Sequence, residues 1–174
     1  MSPGLAAFTI GHSTRSVEDF IALLLAHHIE LIVDVRTVPR SRRNPQFNRE
    51  TLPHSLEAAE IGYEHAAALG GFRRPSEQSA NSGWRNASFR GYADYMQTHS
   101  FAAAIEKLAE RARRTRLAVM CAEAVPWRCH RSLIADALVA RGIPVEEIIS
   151  TTRTQPHVMT SFAHVEGTAV TYPG

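Results

Sequence analysis

The chain has 174 residues, 44% of them hydrophobic and 21% charged, close to the average of globular proteins. Its longest apolar run is too short to cross a bilayer, and we expect no signal peptide, so the composition excludes a membrane protein, a collagen-like chain and a coiled coil. The net charge is +2, and all but one of the 19 basic residues are arginine, a side chain suited to carboxylates and phosphates. We expect one domain over residues 1–174. We also expect a reducing cytoplasm, because two cysteines are too few for a disulfide scaffold.

In the first half of the chain, hydrophobic periodicity predicts a strand, a helix and a second strand. The apolar run 5–10 predicts the first strand, and apolar residues at helical spacing behind Ser16 predict a capped helix that ends near His28. The run 31–35 is apolar except for Asp34, as expected of a strand buried on both faces of a parallel sheet. After these elements we expect a loop, a helix and a short strand, at 37–48, 49–61 and 63–66.

In the second half, the stretch 70–90 is the least regular, and a mixed series of helices and strands follows it. We expect helices at 92–98, 101–114 and 132–141, and strands at 117–121 and 145–149. The tail 150–174 has no clear pattern. Because strands alternate with helices, the sequence predicts an α/β fold of three layers, α/β/α, with a mostly parallel sheet.

Polar residues follow the predicted strands at the points where the strands end. In open parallel sheets, ligands bind outside the carboxyl ends of the strands, so these residues are expected to line one crevice. The residues concerned are Gly11, His12, Ser13, Asp34, Arg36, Cys121, Glu123, Cys129, His130 and Arg131.

Cys121 lies at a strand end, before a loop that leads into a helix. The helix-start N–H groups, with Arg128 and Arg131, would lower the pKa of its thiol and favour the thiolate. This is the layout of cysteine phosphatases and rhodaneses, although Glu123 would oppose an anion there. A buried structural cysteine is the equally weighted alternative. Cys129 stands at the helix start, where the dipole acts on it more directly, but a helix-entry residue without chemistry is the slightly favoured reading.

Three further groups of residues leave alternatives open. Cys121, Cys129 and His130, with His12, could form a zinc-type site, although their spacing matches no common motif. Asp34 in an apolar strand needs a partner, so an ion pair with Arg36 or Arg131 competes with a role as general base or ligand. Glu123 could pair with His130 or Arg131.

Two arginine-rich segments flank the predicted crevice. The first follows Asp34, and the second mixes arginine with aromatic residues, as phosphate contact and base stacking require. Solvated loops are the ordinary reading of each residue, but together the segments favour an anionic ligand: a phosphate, a nucleotide or nucleic acid. Their members are Arg36, Arg40, Arg42 and Arg43, then Arg73, Arg74, Trp84, Arg85, Phe89, Arg90 and Tyr92.

Several short motifs resemble the bacterial family called domain of unknown function 488, over about residues 8–149. The resemblance implies that the strand-end residues named above are signature positions of that family, and it implies no reaction or cofactor. The motifs are Thr9-Ile10-Gly11-His12-Ser13, Leu31 to Arg36 with Pro39 and Ser41-Arg42, Phe47-Asn48, Tyr63, Leu69-Gly70-Gly71, Gly91-Tyr92-Ala93 with Tyr95-Met96, Met120 to Glu123, and Cys129-His130-Arg131.

The sequence thus supports three functions, ranked in this order. The first is an enzyme acting on a phosphate-bearing or other anionic substrate, the second a metal-dependent hydrolase or metal-binding protein, and the third a nucleic-acid-binding module with structural cysteines. The cofactor and the oligomeric state are left open. For the first function, the catalytic candidates are Cys121, Cys129, His12, His130, Asp34 and Glu123, and the anion-binding candidates are Gly11, Ser13, Arg36, Arg42, Arg128 and Arg131.

Overall fold

Strands that are buried on both faces form the centre of the fold. The computed structural model describes residues 6–125 and 128–174. The strands are β1 (Ala7–Gly11), β2 (Leu31–Asp34), β3 (Gly62–His65), β4 (Leu117–Cys121), β5 (Val145–Ile148), β6 (Thr154–Pro156), β7 (His164–Glu166) and β8 (Ala169–Thr171). The helices are α1 (Val17–Ala26), α2 (Leu52–Ala58), α3 (Ala87–Tyr95), α4 (His99–Ala112) and α5 (Arg131–Ala140).

Six strands form one sheet in the order β3-β2-β4-β1-β5-β6. The first five are parallel, and β6 pairs antiparallel with β5, while β7 and β8 form a separate hairpin. The predicted α/β fold with a mostly parallel sheet is therefore confirmed.

The sheet has a hydrophobic core on each side, because successive side chains of a strand point to opposite faces. Phe8 and Ile10 pack with α1 and α2 on one face, which we name the α1/α2 face. Val119 and Cys121 pack with α3, α4 and α5 on the other, which we name the α5 face. Within residues 6–125 and 128–174, every helix is too short or too polar to cross a bilayer.

β1 and β4 are neighbours, and the helices that follow them leave on opposite faces of the sheet. α1 leads from β1 to β2 over the α1/α2 face, whereas α5 leads from β4 to β5 over the α5 face. Ligands of open α/β sheets bind at the carboxyl ends of strands beside such a reversal. A ligand site is therefore expected at the carboxyl ends of β1 and β4.

The helix α3 begins earlier than the sequence predicts. It runs over Ala87–Tyr95 rather than 92–98, because the Asn86 side chain caps its first turn by accepting the N–H groups of Ser88 and Phe89. A glycine inside this helix allows close packing, since a Cβ at Gly91 would lie 2.0 Å from the Arg73 carbonyl oxygen. The expected irregular stretch 70–90 thus ends at the Asn86 cap.

The tail, which showed no pattern in the sequence, is attached to α5 through a buried carboxylate. Asp136 accepts hydrogen bonds from His157 Nε2 at 2.7 Å, from the Thr160 hydroxyl at 2.7 Å and from the Tyr172 hydroxyl at 2.8 Å. Because Asp136 is fully buried, these bonds replace the water that the charge would otherwise require.

Candidate active site

The two cysteines meet in the interior at the carboxyl end of β4. Their sulfur atoms lie 2.7 Å apart, and the side chains are buried, with Cys129 donating to Cys121. This separation is longer than the roughly 2.05 Å of a disulfide bond, and both cysteines are free. The position follows from the fold, since Cys121 ends β4 and Cys129 lies just before α5.

Arg131 is fully buried beside this pair. Its Nη1 atom lies 2.7 Å from the Cys121 sulfur, while Nε and Nη2 bind the two carboxylate oxygens of Glu147 at 3.3 and 2.9 Å. The carbonyl oxygens of Glu123 and Ala124 accept from the remaining N–H groups. All five donors of the guanidinium therefore have partners within the protein.

These contacts make the two thiols unequal in acidity. Burial raises the pKa of Cys121, but the hydrogen bond from Cys129 and the Arg131 guanidinium outweigh burial, so that this pKa lies below its ordinary value. The pKa of Cys129 is raised, first because it donates to Cys121 and then because it is buried. The arrangement therefore favours one thiolate at Cys121 and one S–H group at Cys129.

His130 is placed against Cys129 with a defined proton position. Its Nε2 atom lies 3.0 Å from the Val35 carbonyl oxygen and must donate, so in the neutral ring Nδ1 is the acceptor. This Nδ1 atom lies 3.6 Å from the Cys129 sulfur. Burial lowers the pKa of His130, which keeps the ring neutral at neutral pH and able to accept a proton.

A second polar cluster lies around Asp34, at the end of β2. Of the two partners expected for this buried carboxylate, the structure gives Arg36, whose Nε and Nη2 atoms bind it at 2.9 and 2.7 Å. The Tyr63 hydroxyl adds a bond of 2.5 Å, and burial together with this bond raises the pKa of Tyr63. Arg36 also donates to the Phe47 carbonyl oxygen at 2.7 Å, so it forms part of the protein's interior.

His12 belongs to this second cluster. It stacks on Phe47, with 4.4 Å between ring centroids, and its Nε2 atom faces Arg36 Nη1 at 3.4 Å. Burial and the nearby Arg36 lower the pKa of His12 to about 4, although the bond from Nδ1 to the Ser13 carbonyl raises it. His12 is therefore neutral at neutral pH.

The sheet separates the two clusters, although both lie at its carboxyl edge. Cys121 packs on the α5 face, whereas Phe47, which contacts both His12 and Arg36, packs on the α1/α2 face. The structure thus brings Cys121, Cys129, His130 and Arg131 together, and separately His12, Asp34 and Arg36. The backbone is the link between them, since the His12 N–H donates to the Cys121 carbonyl at 2.9 Å.

Gly11, Ser13 and Glu123 contribute mainly through their backbone. A Cβ at Gly11 would lie 1.6 Å from the Glu123 carbonyl oxygen, so the glycine lets the loop after β4 cross the end of β1. The Ser13 N–H donates to the Ala122 carbonyl, and Glu123 points its carbonyl at Arg131 while its side chain is exposed. Among the described residues, the carboxylate of Glu123 forms no hydrogen bond or ion pair with His130 or Arg131.

The remaining arginine candidates fall into two groups. Arg42 and Arg128 are exposed, and the first of them lies in the loop between Arg36 and the 3₁₀ turn Pro45–Phe47. In the second segment, Arg73 lies 3.7 Å over the Tyr95 ring and Arg90 donates to the Trp84 carbonyl. The aromatic residues there pack on one another, with Trp84, Phe89, Phe162 and Tyr172 forming a cluster.

Two residues of the cysteine cluster were not among the site residues predicted from the sequence. Glu147 pairs with Arg131, and the hydroxyl of Thr9, its neighbour across β1 and β5, donates to it. The available signal was two consecutive charged residues, Glu146 and Glu147, within the predicted strand 145–149. Without strand order, nothing in the sequence placed this strand beside the first one.

The fold and these residues define an α/β protein with a buried cysteine pair against an arginine at the carboxyl edge of its sheet. The family profile described as "Domain of unknown function DUF488" matches residues 16–138. The chain belongs to this family. The match includes both cysteines, His130 and Arg131, and it leaves out Gly11, His12 and Ser13. No curated protein and no solved structure matches the chain.

Proposed function

We propose that this chain is an enzyme that uses Cys121 as a thiolate nucleophile toward a phosphate-bearing or other anionic substrate. The observation that carries the proposal is the 2.7 Å contact between Arg131 Nη1 and the Cys121 sulfur in the interior of the protein. A cysteine that only fills space needs neither a guanidinium nor a second thiol directed at its sulfur. A nucleophilic cysteine gains from both, because these donors stabilise the charge of its thiolate without water.

The neighbouring residues would then divide the remaining work. Cys129 and Arg131 donate hydrogen bonds to the thiolate, and His130 is the acid–base group on the same face. His12, Asp34 and Arg36 lie on the opposite face. We therefore propose that they hold the ends of β1 and β2 in position and do not contact the reacting atoms. The Glu123 carbonyl oxygen accepts a hydrogen bond from Arg131 and so helps to hold the guanidinium in place.

The anionic part of the substrate would be bound outside the buried cluster. Arg131 has no donor to spare, and Arg36 is bound to Asp34, Phe47 and His12. Arg128 is exposed and directly precedes Cys129, and Arg42 is exposed in the loop after β2. We therefore propose that these two arginines bind the negatively charged group of the substrate.

The two other functions from the sequence fit this geometry less well. Among residues 6–125 and 128–174, no three His, Cys, Asp or Glu side chains are grouped to bind one metal ion. The Arg131 charge beside Cys121 also opposes a cation there. For nucleic acid, the aromatic residues Trp84 and Phe89 pack against the core instead of presenting open faces for base stacking.

Titration of the two thiols tests the proposal. Thiolate absorbance in the ultraviolet, recorded against pH in the presence of a chelator, needs no reagent to reach the buried sulfurs. We expect one thiolate to form with an apparent pKa below the value of about 8.5 for a free thiol, and Cys121→Ser to abolish that transition. Cys129→Ser, which keeps a donor, should retain it. A first transition at or above the free-thiol value would overturn the proposal.

The charge of Glu147 provides a sharper version of the same experiment. Glu147 partly neutralises Arg131, so Glu147→Gln should lower the pKa of Cys121 further, because the guanidinium then acts on the thiolate alone. Glu146→Gln is the matched control: its carboxylate lies on the same strand and accepts from Thr154 rather than from Arg131. Equal shifts in both variants would show that Arg131 does not set the acidity of Cys121.

A further inference from the structure

The two cysteines of this chain are eight positions apart and are nevertheless held sulfur to sulfur, at 2.7 Å. Closing a bond between them would shorten this distance by only about 0.7 Å, given a disulfide length of about 2.05 Å. One sulfur contacts a guanidinium and the other a histidine, so the pair combines a candidate thiolate with a candidate proton donor and acceptor. Such a pair is suited to two-electron redox chemistry.

We propose that Cys121 and Cys129 form a dithiol–disulfide couple that reduces a small hydroperoxide. The inference rests on the proposed function, because it uses the same Cys121 thiolate, and it adds a role for Cys129 as the resolving thiol. The burial of the pair indicates the size of the oxidant: Cys121 is 2% and Cys129 6% exposed, which favours a molecule of a few atoms over a bulky disulfide.

In the first step, the Cys121 sulfur attacks the terminal oxygen of the hydroperoxide. A sulfur–oxygen bond forms, the oxygen–oxygen bond breaks, and the alcoholate, or hydroxide from hydrogen peroxide, leaves and takes a proton from solvent. Cys121 is oxidised to a sulfenic acid by two electrons, and the peroxide is reduced by two.

In the second step, the Cys129 sulfur attacks the Cys121 sulfur. The S–S bond forms, the sulfur–oxygen bond breaks, and the hydroxyl group leaves as water with the proton that Cys129 gives up. His130 Nδ1, which faces the Cys129 sulfur at 3.6 Å, is placed to accept that proton and pass it to the leaving hydroxyl. Two equivalents of a low-molecular-weight thiol would return the disulfide to two thiols: the first forms a mixed disulfide with one cysteine, and the second releases that cysteine and leaves with the first as their own disulfide.

The test treats the fully reduced chain with one equivalent of hydrogen peroxide and reads the products by intact mass and peptide mapping. We expect the loss of two hydrogen atoms and a Cys121–Cys129 disulfide. Cys129→Ser should stop at the sulfenic acid, trapped on Cys121 by dimedone, and Cys121→Ser should consume peroxide at least roughly tenfold more slowly. Glutathione disulfide should oxidise the pair more slowly than the peroxide does.

Several results would overturn this inference. Both thiols could survive excess peroxide in the wild-type chain, Cys121 could proceed to sulfinic acid without forming a disulfide, or glutathione disulfide could prove the faster oxidant. The wild-type measurement does not depend on any variant folding. A chain whose Cys121 titrates low but which forms no disulfide keeps the proposed function and loses this one, so the two failures are distinguishable.

Discussion

His12 is neutral in the folded chain because its ring is buried beside a cation. Its pKa of about 4 lies below the value of 6.5 for an exposed imidazole, so the unfolded chain binds a proton at higher pH than the folded chain does. Falling pH therefore favours unfolding from about pH 6.5 downward, and the full loss is reached near pH 4.

The expected loss of stability between about pH 7 and pH 5 from this one group is about 2 kcal/mol. Chemical unfolding of the wild type and of His12→Gln at both pH values measures it, since the variant removes the titrating group and other histidines contribute equally to both chains. The interpretation fails when the variant loses as much stability as the wild type over this range.

Residue types could be predicted from the sequence better than their partners. Cysteines, histidines and arginines at strand ends were expected to line one crevice; they lie at one edge of the sheet but form two clusters on its opposite faces. The ion pair of Asp34 with Arg36 was one of the two expected alternatives. It could be predicted because both residues lie at the end of the same strand. The bond between Arg131 and Glu147 could not be predicted, since it joins elements whose proximity depends on strand order.

At the scale of elements, the crossing of the β4 loop over the end of β1 depends on the absence of one side chain. Gly11→Ala should cost about 3 kcal/mol or more, because its Cβ would collide with backbone rather than with a flexible side chain. The displaced Glu123 carbonyl would also leave Arg131 Nη1 without one of its acceptors and shift the guanidinium, so the pKa of Cys121 should rise.

Thermal unfolding together with thiolate titration checks both effects of Gly11→Ala. The matched control is Gly142→Ala, where a Cβ meets nothing within 4 Å and only the positive φ of +80° is unfavourable. The control should cost about 1 kcal/mol and leave the thiols unchanged. Similar effects of the two substitutions would contradict the role assigned to the crossing.

Helices and strands with strong periodicity were predicted well, and their ends less so. The Ser16 cap of α1 and the strand β4 match the expectation, because local sequence decides both. The start of α3 was missed because the Asn86 cap follows a stretch rich in glycine and serine, where the helical pattern is weak. The tail was missed because its order depends on contacts with α5 rather than on its own periodicity.

At the scale of the whole molecule, the tail depends on one carboxylate of α5. Asp136→Ala should lower the free energy of unfolding by about 3 kcal/mol, since it leaves Thr160 and Tyr172 without their buried acceptor. Limited proteolysis should then cut the tail between residues 150 and 174 in an otherwise folded chain.

Glu106→Ala is the control for this substitution. It removes the α4 partner of Arg141, the residue that follows α5, but that carboxylate is 56% exposed, so the expected loss is below about 1 kcal/mol. Protection of the tail in Asp136→Ala equal to that in the control would show that other contacts hold it.

The three-layer architecture could be predicted from the alternation of elements, but the strand order could not. Any arrangement of five parallel strands buries the same apolar runs, so the sequence pattern does not choose among them. The division of the expected crevice into two clusters follows from this order and from the alternation of side chains across the sheet, as His12 and Cys121 illustrate.

The helix α5 is fixed at two points, Arg131 at its first residue and Asp136 about 7.5 Å further along its axis. One point is bound to β5 and the thiols, and the other to the tail. The helix therefore cannot rotate about its own axis unless one of these two attachments breaks. The tail thereby sets the rotational position of the helix that carries the arginine, and through it the alignment of the two sulfur atoms.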